Sequence, residues 1–144
     1  MSNKIVVRKP DGKQGLVNES NIGGANAVLI DIDCDASVFV GAAVRMSVGG
    51  VAENAIADSI TNSNVIGIVE SKSSATKCNI RIAGYSLPVF AGLDVTKEYF
   101  LSDTIAGGIQ TSAPTLSGHI KVKLGQPFSA TEFLYMKGDR IIRA

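Results

Sequence analysis

The sequence predicts a mainly β fold, a compact β-barrel or β-sandwich preceded by an extended N-terminal arm, and three observations predict it. Hydrophobic residues make up 45% of the 144-residue chain, yet aromatics supply only 6% and Trp is absent, so the apolar content is Ala, Val, Ile and Leu. The β-branched members of that set fit a pleated, half-buried surface better than a helix. Gly, Asn, Asp, Ser and Pro recur throughout, with 15 glycines in all, and the runs between them are short and apolar or alternating. No long stretch carries a helical period. The length suits one domain able to bury a core.

Taken in order, residues 4–8 form a first apolar run that ends in the turn Pro10-Asp11-Gly12, with residues 14–17 as a short returning partner. Residues 18–26 are polar and contain Gly23-Gly24, so residues 1–25 read as an arm and residues 26–144 as the β-rich body. The body opens with a strand at residues 27–33. Residues 43–48 and 51–56 flank Gly49-Gly50, the best two-residue hairpin signal in the chain. Residues 57–64 read as a loop or one helical turn, residues 65–71 as a strand and residues 72–76 as turn-rich. Asn79-Ile80-Arg81-Ile82 alternates, which puts Ile80 and Ile82 on one face. Pro88 assigns residues 87–90 to an edge strand or bend. Short strands follow at residues 98–102 and 109–112, joined through Gly107-Gly108. Residues 119–124 alternate again, with Ile120, Val122 and Leu124 inward and His119, Lys121 and Lys123 outward. Strands at residues 133–136 and 140–143, around Gly138-Asp139, finish the chain.

Composition bounds the function. The longest apolar run, residues 36–44, is interrupted by Ser37 and Gly41, well short of the ~20 residues a membrane-spanning helix needs. The opening residues lack the apolar core of a secretory signal, so folding in a cytoplasm is expected. There Cys34 and Cys78 are expected to be buried thiols, not a disulfide or a metal site. The formal net charge is +1, unevenly spread: residues 1–15 carry +3, residues 16–71 carry −6 and residues 72–144 carry +4. Such a basic head before an acidic middle can guide docking onto a partner or a second copy, although solvated surface charge explains it equally well. The aliphatic surplus points the same way, toward buried subunit contacts.

Little in the sequence speaks for chemistry. Asp31, Asp33 and Asp35 alternate, as in the opening of a calcium-binding EF-hand loop, but Ala36 and Ala42 replace the Gly and the bidentate Glu that such a loop requires. They are candidate metal ligands only against the better reading of an acidic strand edge. The single histidine, His119, has no carboxylate near it in sequence and reads as an exposed strand residue, not a member of a catalytic set. No phosphate-binding glycine loop or nucleophile elbow occurs, so no enzyme and no cofactor are expected. Lys4, Arg8, Lys9 and Lys13 are not interleaved with stacking aromatics, which argues against nucleic acid.

One ordered set of segments resembles a known family. Gly49-Gly50-Val51, Asn64-Val65-Ile66-Gly67-Ile68-Val69, Tyr99-Phe100-Leu101-Ser102-Asp103 with Gly107-Gly108-Ile109, Pro114-Thr115, Gly118-His119, Leu124-Gly125 and Ser129-Ala130-Thr131-Glu132-Phe133-Leu134 resemble, in that order, a module of bacteriophage capsid decoration (cement) and head-fibre proteins. The similarity covers about residues 40–136 and leaves the arm outside.

The resemblance implies a virion structural protein that binds the outer capsid surface and reinforces contacts between major capsid proteins, as a homo-oligomer, with a trimer favoured. The alternatives are a tail, baseplate or head-fibre component anchored by its arm, and a metal- or ligand-binding β module. For partner binding through the arm the candidates are Lys4, Ile5, Val6, Val7, Arg8 and Lys9, with Ile5, Val6 and Val7 adding a strand to a neighbour's sheet edge. Tyr99, Phe100 and Leu101 are candidates for a subunit interface, with the domain's own core the stronger expectation for Tyr99 and Phe100 because alternation sends them to opposite faces.

Overall fold

The computed structural model describes residues 27–144. The expectations for the arm, including the pairing of residues 4–8 with 14–17, lie outside the described residues. Within them the fold is mainly β, as predicted: ten strands and no helix, in an antiparallel sheet that curls into a half-barrel. The strands are β1 (Ala27–Asp33), β2 (Ala43–Met46), β3 (Ala52–Asn54), β4 (Gly67–Ser74), β5 (Lys77–Tyr85), β6 (Tyr99–Leu101), β7 (Ile109–Gln110), β8 (Ile120–Pro127), β9 (Phe133–Tyr135) and β10 (Arg140–Ile142). Their order is β3-β2-β4-β5-β9-β8-β6-β7, with β1 added on β5 and β10 on β8.

Local signals set most of these elements. The Gly49-Gly50 turn joins β2 to β3, with Gly50 at φ +80° and Ser47 N donating to Val51 O at 2.9 Å. That conformation is open to glycine and costly for other residues. Gly107 adopts φ +77° in the β6–β7 connection, where Gly107-Gly108 had placed a hairpin. Residues 57–64 close one helical turn, Ser63 N to Ser59 O at 3.1 Å. One expectation needs correction. Residues 72–76 are not all turn: β4 runs on to Ser74 and only Ala75-Thr76 separate it from β5, because Lys72 and Ser74 find partners in Cys78 and Lys77. Of the two readings of residues 87–90, the bend holds: the chain bends at Pro88, Val89 N turns back to Leu87 O at 2.8 Å, and Phe90 packs on Phe133, ring centroids 5.8 Å apart.

Bulges supply the curl. Between the pairs Val69↔Ile80 and Ser71↔Asn79, β4 carries one extra residue, Glu70, and between Lys72↔Cys78 and Ser74↔Lys77 another, Ser73. An extra residue on one strand bends it and increases the local twist. The bend wraps the sheet around a core of Ile68, Tyr99, Leu101, Ile120, Val122, Leu124, Phe133 and Tyr135. A second core, with Cys34, Val38, Val44, Val69, Cys78 and Ile80, contains no aromatic side chain among its buried members. Neighbouring residues of one strand serve different cores, Ala43 and Val44 on β2, Ile68 and Val69 on β4, so this part of the sheet is buried on both faces.

Candidate functional site

Among the described residues a cleft of about 670 Å³ is lined by Val65, Ile66, Ile82, Ala83, Gly84, Tyr85, Leu134, Tyr135, Met136 and Lys137. It opens where β5 changes partners. The last β4 pair on β5 is at Arg81 and the first β9 pair is Gly84↔Tyr135, so the two partner strands diverge around residues 82–83. The walls are apolar apart from Lys137, whose ammonium donates to Asn64 Oδ1 at 3.1 Å and to Val65 O at 2.9 Å. Burial, and then the neighbouring Arg140 charge, lower the Lys137 pKa. Close by in the fold, Tyr135 is buried in the first core, and its hydroxyl has no hydrogen-bond partner among the described residues.

Beside the cleft lies an exposed aromatic pair. Tyr85, opposite Leu134 across the β5–β9 ladder, meets Phe128 edge to face, centroids 4.7 Å apart and planes at 69°. Both rings stay about half exposed, at 53% and 47%. Further exposed apolar side chains, Ile141 and Ile142, sit on β10, and Ile60 is held next to that strand by Arg140 Nη1 donating to Ile60 O at 2.6 Å.

The structure separates the other residues singled out in the sequence. Asp31, Asp33 and Asp35 do not share one side of an extended chain. One extra residue on β1 between Leu29↔Ile80 and Ile32↔Cys78 breaks the alternation, and Asp31 takes φ +55°. Each carboxylate then finds its own partner: Asp33 pairs with Lys77 at 2.6 Å, Asp35 accepts from the Ser37 hydroxyl and amide, and Asp31 lies 3.4 Å from Ser73 Oγ. No group of three or more His, Cys, Asp or Glu residues among the described residues is placed to hold a metal ion.

His119 corrects its expectation more sharply. It precedes β8, its side chain is only 22% exposed, and Nδ1 lies 2.9 Å from Asp103 Oδ2. The pair ties the end of β6 to the start of β8, a contact across 16 positions that no local pattern announces.

Tyr99 and Leu101 fill the first core. Phe100 alone turns outward, under Lys121 Nζ at 5.8 Å from its ring centroid, so only Phe100 of the three can reach a neighbouring subunit. Cys34 and Cys78 are buried free thiols of the second core. Burial, with a hydrogen bond to Cys34, pushes the Cys78 thiol up to about 12. The arm candidates Lys4, Ile5, Val6, Val7, Arg8 and Lys9 lie outside the described residues.

Two features had no sequence signal at all. One is the cleft, whose walls come from three separate segments. The other is buried Glu70, which accepts from Arg81 Nε at 2.8 Å, Arg81 Nη2 at 3.2 Å and Leu87 N at 2.9 Å. No family model matches the chain, and neither does any curated protein or solved structure.

Proposed function

We propose that this chain is a non-enzymatic structural protein of a bacteriophage particle, a decoration protein that binds the outer surface of the capsid and reinforces contacts between shell subunits. The observation that carries the reading is the Tyr85–Phe128 pair. The chain has only eight aromatic residues, five Phe and three Tyr, and places two of them in mutual contact on the surface. Rigid aromatic rings of this kind are the anchors around which protein interfaces are built. The apolar edge at Ile141 and Ile142 offers a second contact surface, and the resemblance of residues 40–136 to phage decoration modules agrees. On this reading the arm run Ile5-Val6-Val7 supplies a strand to a neighbour, and repeated weak contacts over the shell gain strength through effective concentration.

The test is the copy number of the protein in purified particles relative to the major shell protein. A fixed, high ratio that falls when Tyr85 and Phe128 are both replaced by Ala supports decoration. A few copies per particle points instead to a tail, baseplate or fibre position. Absence from particles refutes the assignment.

A further inference from the structure

The cleft beside β5 sets apolar walls against one cation that has no counter-charge. Val65, Ile66, Ile82, Leu134 and Met136 line it, no aspartate or glutamate does, and Lys137 brings the one charge on its walls. Among the described residues no carboxylate forms an ion pair with Lys137 or with Arg140, whose like charge acts on the Lys137 ammonium. A partly buried cation beside a second cation is stabilised by an anion that it can bond directly.

The ammonium is also held in place. Two of its three N–H groups are taken by Asn64 Oδ1, at 3.1 Å, and Val65 O, at 2.9 Å, which leaves the third for a guest. These bonds tie the chain after β9 to the chain before β4 and fix the charge at one end of the cleft. Tyr85, opposite Leu134, marks the other end. The chain stays alongside β8 from Leu134 to Lys137, since Met136 N and Gly138 N donate to Leu124 O and Lys123 O. Three residues of extended chain span about 10 Å. An alkyl zigzag, advancing roughly 1.3 Å per carbon–carbon bond, covers that length with about eight bonds.

We propose that the cleft binds a medium-chain aliphatic monocarboxylate of about eight carbons, with its carboxylate on the Lys137 ammonium and its chain along Ile82, Leu134 and Met136. One carboxylate matches the one ammonium without a counter-charge. The Arg140 guanidinium is engaged with Ile60 O, and the walls carry no cluster of donors such as a phosphate or a sugar requires. Met136, unbranched and rotatable, lets the wall adapt to a flexible chain. Binding of this kind is independent of a virion role.

Titration of the full-length protein with octanoate, hexanoate and 1-octanol, followed by calorimetry and by NMR of the methyl groups, tests it. Octanoate should bind saturably, and about fourfold more tightly than hexanoate for each of the added methylenes. The uncharged 1-octanol should bind at least about tenfold more weakly than octanoate. Lys137→Met keeps the length of the side chain, so it should bring octanoate down to the level of 1-octanol and leave 1-octanol unchanged. Bound octanoate should show nuclear Overhauser contacts from its chain to the Met136 methyl group, a reading that needs no variant and decides the matter if Lys137→Met does not fold. Absence of saturable binding overturns the proposal. Equal affinity for octanoate and 1-octanol overturns it as well, and so do contacts of the bound chain confined to residues outside the cleft.

Discussion

β8 and β5 each pair with three other strands, yet they make the change from one partner to the next in opposite ways. Along β8 the ladder passes from β9 to β10 without a gap, since Met136 N donates to Leu124 O and Gly138 N to Lys123 O, both at 2.8 Å. Along β5 the ladder passes from β4 to β9 through the interruption at residues 82–83, and a cleft opens there. The physical difference is chain connectivity. β9 and β10 are consecutive, so one continuous backbone supplies donors and acceptors across the seam. β4 and β9 come from distant parts of the chain and are pulled apart by other partners, Gly67 toward Val44 on β2 and Tyr135 toward Gly125 on β8. A seam made by consecutive residues closes itself, and one made by remote segments needs something else to fill it.

The strongest test of the closed seam is Gly125→Ala. Gly125 has φ +144°, and a Cβ there would stand 1.9 Å from Leu134 O, a backbone atom with nowhere to go. We expect a loss of about 4 kcal/mol or outright failure to fold, read from urea unfolding. A variant that unfolds at the wild-type midpoint would show that β8 and β9 are not held so closely.

The open seam rests on Glu70, the extra residue in β4, which bonds both β5, through Arg81, and the segment after it, through Leu87. Glu70→Ala leaves the guanidinium and an amide without their acceptor and should cost about 3 kcal/mol, with amides of residues 81–87 losing protection from hydrogen exchange. If protection falls evenly over the molecule instead, Glu70 has no special hold on this seam.

Cys78 lies on β5 opposite β1. Its folded pKa is raised from 9.0 to about 12, so the native state keeps a proton that the unfolded chain gives up. Stability from this group is therefore complete below pH 9 and declines above it, by up to about 1.4 kcal/mol per pH unit. Unfolding midpoints at pH 8 and pH 10 should separate in the wild type and converge in Cys78→Ala.

The smallest expected effect has the opposite sign. Tyr135 belongs to both seams, opposite Gly84 and Gly125, and its buried hydroxyl lacks a partner among the described residues. Tyr135→Phe removes an unsatisfied group and should leave stability unchanged or raise it by up to about 1 kcal/mol. A marked loss would mean that the hydroxyl is satisfied, for example by an ordered water.

Strand faces were readable where two-residue alternation ran undisturbed. Ile120, Val122 and Leu124 are all fully buried, as their spacing predicted. The same reasoning failed at Asp31-Ile32-Asp33, because a bulge inserts a residue and reverses the faces beyond it, and nothing in the local composition marks that insertion. It was silent on Glu70 with Arg81 and on Asp103 with His119, whose partners stand 11 and 16 positions apart.

The sequence by itself determined that the body is β, where its glycine turns fall and which side chains seek the interior, since each depends on a few adjacent residues through pleat geometry and allowed φ. The tertiary structure alone decided which strands became neighbours, which carboxylates found cations and where the sheet parted. Those outcomes follow from bringing remote segments to within hydrogen-bonding distance, and no short window of sequence contains both sides of such a contact.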